Sequence, residues 1–260
     1  MFLFPHTYTF LTLGRSIRHE VGANGWTSTP ADAGAIFGDK PYINEPGPLS
    51  LKNIKFPSDD PIVAKTVDYV KARLHPETFN HSMRVYYIGM AITKQQFPER
   101  YAVVNPSSWA LTCLLHDIGT AEENLTATRM SFDIYGGIKA FHILKDIGAT
   151  KDQAEATSEA IIRHEDMGVD GTITYFGQLI QLATTYDNTG YHPHVKDFGK
   201  MLHETTRAEI NEAHPRLKWC TFFSGTIRKE EEIKPWCHST HLANFANEIE
   251  ENSLMKQWEF

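Results

Sequence analysis

His116 and Asp117 stand side by side at the end of the apolar run Trp109-Ala-Leu-Thr-Cys-Leu-Leu115, and Gly119 follows closely. A glycine at that point ends a helix, so both side chains sit at the tip of a buried element. A histidine and an aspartate there are costly unless something satisfies them. A divalent metal does so, because it accepts an imidazole nitrogen and a carboxylate oxygen together. The plainer alternative is a helix C-terminus whose dipole favours a histidine, with the aspartate capping the next turn. Two further residues favour the metal. His81 shares a helical face with Val85, Ile88 and Ile92, an inward stripe. Asp187 closes a stripe formed by Phe176, Ile180, Ala183 and Thr184, where a carboxylate needs a cation, a metal or several donors. An inward histidine, a His-Asp pair and an inward aspartate on three separate helices make a candidate metal centre.

The elements that must position these groups read as helices. Asp60-Pro61 is a helix start, an acidic cap followed by proline at the first helical position. Helical patterns then cover about 61–74, 78–96, 107–118, 131–146, 151–165, 172–189, 200–213 and 240–251, with an irregular link at 120–130. No run alternates apolar and polar residues in the manner of a strand. Residues 1–60 are broken by Gly34, Gly38, Pro41, Pro46, Gly47, Pro48 and Pro57 and read as an irregular arm, not a separate domain. The expectation is an all-α protein: an N-terminal arm over 1–60 and a compact helical domain over 61–255.

Composition sets outer bounds. The 260 residues are 41% hydrophobic and 22% charged with a formal net charge of -7, which favours neither nucleic acid nor an anionic membrane surface. No stretch approaches the ~20 apolar residues of a membrane-spanning helix. Three cysteines without a CxxC pair point to a reducing compartment, read as cytoplasmic. Self-association as a homo-oligomer is left open.

The order His, His-Asp, Asp resembles that of the HD-domain metalloenzymes, helical metal-dependent phosphohydrolases and their relatives. Longer stretches narrow the likeness: Asn80-His-Ser-Met-Arg-Val85, the run from Trp109 to Glu122, the run from Arg129 to Lys139, Glu159-Ala-Ile-Ile-Arg-His-Glu-Asp166, Gly177-Gln-Leu-Ile-Gln-Leu-Ala-Thr184, Lys234-Pro-Trp-Cys-His238 and Ala23-Asn-Gly-Trp-Thr27. These resemble the fungal cyanamide hydratase family from about Ala23 to the C-terminus; residues 1–22 fall outside. The resemblance implies the compact HD-type helical fold. It implies His81, His116, Asp117 and Asp187 as metal ligands and activity on cyanamide, whose nitrile carbon receives metal-activated water to give urea. Two-metal relatives carry further histidines on the intervening helices. Here Phe132-Asp-Ile-Tyr-Gly-Gly-Ile138 has glycines instead, so one metal is expected, zinc first, with iron or manganese also suited.

Further roles follow from placement. Asp117 is expected to relay a proton as well as touch the metal. His164, after the apolar run of its own segment, is expected to give a proton to the developing anion or hold it; the alternative is a helix-end histidine. Thr184, three residues before Asp187, faces the same way and can bond water or substrate, or only its own helix. Arg84 can orient a ligand carboxylate or make a surface ion pair, and Phe132 and Tyr135 can wall a pocket or fill core. Cys220, Cys237, His238 and His241 are a competing set for a structural zinc, and Glu230-Glu-Glu232 reads as a solvated face. The rival activities are a phosphohydrolase, for which Arg84, Arg129, Lys139 and Arg163 are the available cations, and a hydratase of another small nitrile or isonitrile. A non-enzymatic protein, its metal only stapling helices, is the remaining alternative.

Overall fold

The computed structural model describes residues 21–260 and is all-helical apart from two three-residue strands. The principal helices are α1 (Pro61–Lys71), α2 (Pro76–Gln96), α3 (Pro106–Leu115), α4 (Phe132–Ile147), α5 (Lys151–Ile162), α6 (Tyr175–Asn188), α7 (Glu204–Ala213), α8 (Trp219–Ile233) and α9 (Phe245–Glu250). Their starts are written locally. The Asp60 side chain accepts from the N–H groups of Ile62 and Val63, Asn105 from Ser107, and Thr174 from Gly177, while Thr150 and Gln153 cap each other across the first turn of α5. Gly148 ends α4 in the left-handed conformation.

Two helices form the centre. Every residue of α6 is buried, as is every residue of α3 after Pro106. Helices apolar or buried on all sides belong inside a protein. Here α2, α5 and α4 pack around them. Leu111, Leu114, Leu115, Leu179, Ile180 and Ala183 join Val85, Ile88 and Ile92 of α2 in one core. A smaller core is made by Trp219, Phe223 and Ile227 of α8 with Phe245 and Ile249 of α9. Among the described residues no helix is long and apolar enough to cross a membrane.

The differences from local expectation have physical causes. The segment at 172 opens as a strand, Thr172–Thr174, which pairs antiparallel with Ser28–Pro30; α6 begins only at Tyr175. That pairing joins residues far apart in the chain and has no local signal. Helix α8 lies where no helical pattern was assigned, although Trp219, Phe223 and Ile227 recur every four residues. Glu230 is a correction: it is fully buried, not on a solvated face. Its Oε1 accepts the Phe132 N–H at 2.7 Å, satisfying an otherwise orphaned donor at the start of α4, and Lys234 lies 3.2 Å away as its counter-charge. Phe37, Leu49 and Ile54, all before α1, are buried in the main core.

Candidate functional site

Helices α3 and α5 both stop one turn early, and this places the chemistry. α3 ends at Leu115, His116 is its C-cap, and Asp117 sits at φ -97, ψ 12 in the sparsely populated bridge region. Gly119 lets the start of α4 press onto this turn: a Cβ there would lie 2.0 Å from the Phe132 carbonyl oxygen. α5 ends at Ile162, and His164 and Glu165 follow in the succeeding turn.

His81, His116 and Asp117 converge, their donor atoms all within 4.8 Å of one another. The His81 Nδ1–H donates to Asp187 Oδ2 at 2.6 Å, and the His116 Nδ1–H donates to the Cys113 carbonyl at 2.7 Å. Both acceptors lack a proton, so each ring in its neutral form presents a bare Nε2. Those two Nε2 atoms face each other at 3.2 Å. Asp117 Oδ2 lies 3.2 Å from that of His116 and 3.7 Å from that of His81, and it has no hydrogen-bond partner. Converging lone pairs without protons repel unless a cation stands among them. Two imidazoles and one carboxylate are the donor set of a catalytic zinc or iron site, with a position left for a small ligand. The residues fit the metal.

Electrostatics favour a bare nitrogen at His81 and a cation, proton or metal, beside Asp117. Burial pushes His81 down to about 4, keeping its ring neutral. Burial also opposes a proton on His116, but the adjacent Asp117 carboxylate outweighs it and raises His116. Burial alone would raise Asp117; the imidazole of His116 holds it at about 2. A cation would do for Asp117 what that proton otherwise does.

Asp187 stands behind His81, outside this cluster. Its carboxylate is held on all sides: Arg84 donates through Nε to both oxygens at 3.0 Å and through Nη2 at 2.9 Å, and Arg216 donates through Nη1 at 2.6 Å. Burial disfavours its charge, yet Arg216 and Arg84 hold its carboxyl well below the usual range. Arg84 is therefore a buried partner of Asp187, not a surface residue. Arg216 escaped sequence reasoning because it belongs to no periodic run. The His81 ring stacks on Trp219 of α8, centroids 4.2 Å apart and 12° from parallel, and Trp219 stacks on Phe223. The every-fourth-residue recurrence in α8 was the signal available for these aromatics.

A cavity opens beside the cluster, lined by His116, Asp117, His164, Glu165, Thr184 and Asn188 on its polar side and by Met167, Phe223, Leu242 and Phe245 on its apolar side. Its free volume is about 10 Å³, room for a water molecule or little more. His164 donates Nδ1–H to the Ile161 carbonyl at 2.6 Å, and burial, then the neighbouring His116, lower its pKa, so the neutral ring turns a bare Nε2 outward. The Thr184 hydroxyl gives its proton to the Ile180 carbonyl at 2.8 Å. Its oxygen keeps lone pairs for an incoming donor. Phe132 meets His164 edge-on at 5.6 Å, whereas Tyr135 lies under Lys139 and does not line the cavity. Cys220, Cys237, His238 and His241 form no metal-ligating group among the described residues: Cys220 Sγ contacts Arg216 and His238 faces Asp133.

Fold and site thus define an all-helical protein with a buried His-His-Asp centre suited to a divalent cation. Two curated relatives from Saccharomyces cerevisiae, cyanamide hydratase DDI2 and cyanamide hydratase DDI3, are each 36% identical to it over 213 residues, spanning 78% of this chain and 86% of theirs. No family model matches the chain. At that identity and coverage the chain belongs to the cyanamide hydratase family.

Proposed function

We propose that this chain is an HD-type, metal-dependent hydratase that adds water to cyanamide and releases urea, with His81, His116 and Asp117 holding the metal and Asp187 orienting His81. One observation carries the reading: two imidazole nitrogens and an unpartnered buried carboxylate oxygen converge beside a small cavity lined by His164 and Thr184. When bound, a zinc or iron ion supplies Lewis acidity, making water more acidic and drawing electrons from a nitrile. The chain's own residues move the protons. In forming urea, a C–O bond is made and both water protons pass from oxygen to the terminal nitrile nitrogen. His164 Nε2 accepts one from the attacking water and returns it to the nitrogen, so the residue acts first as a base and then as an acid. Thr184 Oγ1 accepts an N–H from the cyanamide amino group and fixes its direction. Met167, Phe223, Leu242 and Phe245 exclude bulk water.

The phosphohydrolase reading is disfavoured on the same ground. Among the described residues no lysine or arginine lines the cavity. Arg84 is occupied by Asp187, Arg163 by Asp166 and Lys139 by Asn124. A phosphate would meet Asp117 and Glu165 without a cationic clamp.

Purified protein should release urea from cyanamide, lose this activity on chelation and regain it on return of zinc or iron. Undiminished activity in metal-free protein, or phosphatase activity with no urea, refutes the proposal. His164→Ala should keep the metal and lower kcat by ~10²–10⁴-fold, the usual weight of a general acid or base. An unchanged kcat would reduce His164 to a helix-end residue, and loss of metal would make it a ligand.

A further inference from the structure

We propose that Asp133, Glu165 and His238 form a second divalent-cation site, separate from the His-His-Asp centre and sharing a wall with its cavity. The three come from the first turn of α4, the turn after α5 and the 3₁₀ turn His238–His241 after α8, and one donor atom from each lies within 4.8 Å of the others. Asp133 is fully buried and Glu165 is 4% exposed. Two carboxylates so close and so dry repel each other unless a positive charge intervenes.

The groups present leave buried carboxylate oxygens unsatisfied. His238 Nδ1 lies 2.5 Å from Asp133 Oδ2 and its other ring nitrogen 3.4 Å from Asp166, which also accepts from Arg163 Nε at 2.7 Å. Asp133 Oδ1 has no hydrogen-bond partner at all. Glu165 receives one hydrogen bond, from Ser239 Oγ to Oε2 at 2.9 Å. The nearby Glu230 is taken up by Lys234 and the Phe132 N–H through Oε1, and its Oε2 is likewise unpartnered. Burial, then the charge of Asp133, push the Glu165 carboxyl well above its ordinary range, a sign of how closely the two carboxylates are set.

Two carboxylate oxygens and one imidazole nitrogen suit manganese or zinc better than calcium or magnesium, which prefer oxygen alone. The His238 side chain is 27% exposed and offers an approach from solvent. Occupancy would tie Glu165, next to His164, to the turn that leads into Leu242. Both Glu165 and Leu242 line the catalytic cavity, so the ion would brace its wall.

The test uses the full chain carrying His116→Ala, which disables the first centre, equilibrated with Mn²⁺ alone and then with Zn²⁺ alone. Bound metal is counted by mass spectrometry and unfolding is followed by calorimetry. The single variant should retain one equivalent and show a rise in Tm on metal addition. His116→Ala/Asp133→Asn should lose both, and His116→Ala/His238→Gln, altered at a partly exposed side chain, should bind at least ~10-fold more weakly. No metal bound by the single variant, or binding and a Tm rise unchanged in the His238→Gln double variant, overturns the site. Because urea formation is not the readout, failure here is distinct from failure of the hydratase assignment.

Discussion

Asp117→Ala is expected to remove one equivalent of bound metal and reduce urea production to background while leaving the metal-free fold intact. The reasoning rests on what the carboxylate touches. Its Oδ2 has no hydrogen-bond partner in the protein, so truncation orphans no donor. Without metal the carboxylate is balanced by the proton it favours on His116; in the variant that ring stays neutral, so no buried charge is left unpaired. Binding is different. The two imidazoles of His81 and His116 would remain, with no anionic donor to neutralise a divalent charge in a fully buried site. The stability that the wild-type protein gains from ligand binding, RT ln(1 + [L]/Kd), should therefore vanish in the variant. Metal analysis, urea release and Tm with and without added zinc check the three parts. Retained urea production with metal lost would separate the cluster from catalysis.

Asp187→Ala should be the most destabilising single substitution at the site. It would leave Arg84 and Arg216, both fully buried, without the carboxylate that three of their N–H groups address. Breaking a buried ion network from one side costs about 3–5 kcal/mol. At ~2–4 °C per kcal/mol for a chain of this size, Tm should fall by ~6–20 °C. Asp187→Asn is the complementary probe. It keeps the shape and one acceptor oxygen but weakens the hold on His81 Nδ1–H, and metal affinity should fall ~10–100-fold, as when the outer partner of a ligating histidine is lost. If Asp187 were itself a donor to the metal, the asparagine variant would lose the metal outright. Titrating zinc into the two variants and following their melting distinguishes orientation from coordination.

The reach of local reading is clear from particular residues. Asp60-Pro61 marks a helix start because capping acts within three or four residues. The inward stripes through His81 and Asp187 are visible because helical periodicity is also local. Glu230 misled because three successive glutamates look like a solvated face, whereas the donor that draws the first inward, the Phe132 N–H, lies 98 residues earlier. Trp219 and Phe223 carried a periodic signal in a segment flanked by the polar residues Arg216, Lys218 and Lys229.

The sequence by itself determined an all-helical chain, a helix end near Gly119, and the inward-facing polar residues His81 and Asp187. All of these follow from backbone hydrogen bonding and side-chain spacing over a few residues. Only the tertiary structure decided which lone pairs meet. Asp187 bonds His81 across 106 residues and is gripped by two arginines, so it stands behind the imidazole; His238 meets Asp133 across 105 residues, beside Glu165. No local pattern encodes such distances, because they depend on how whole helices pack.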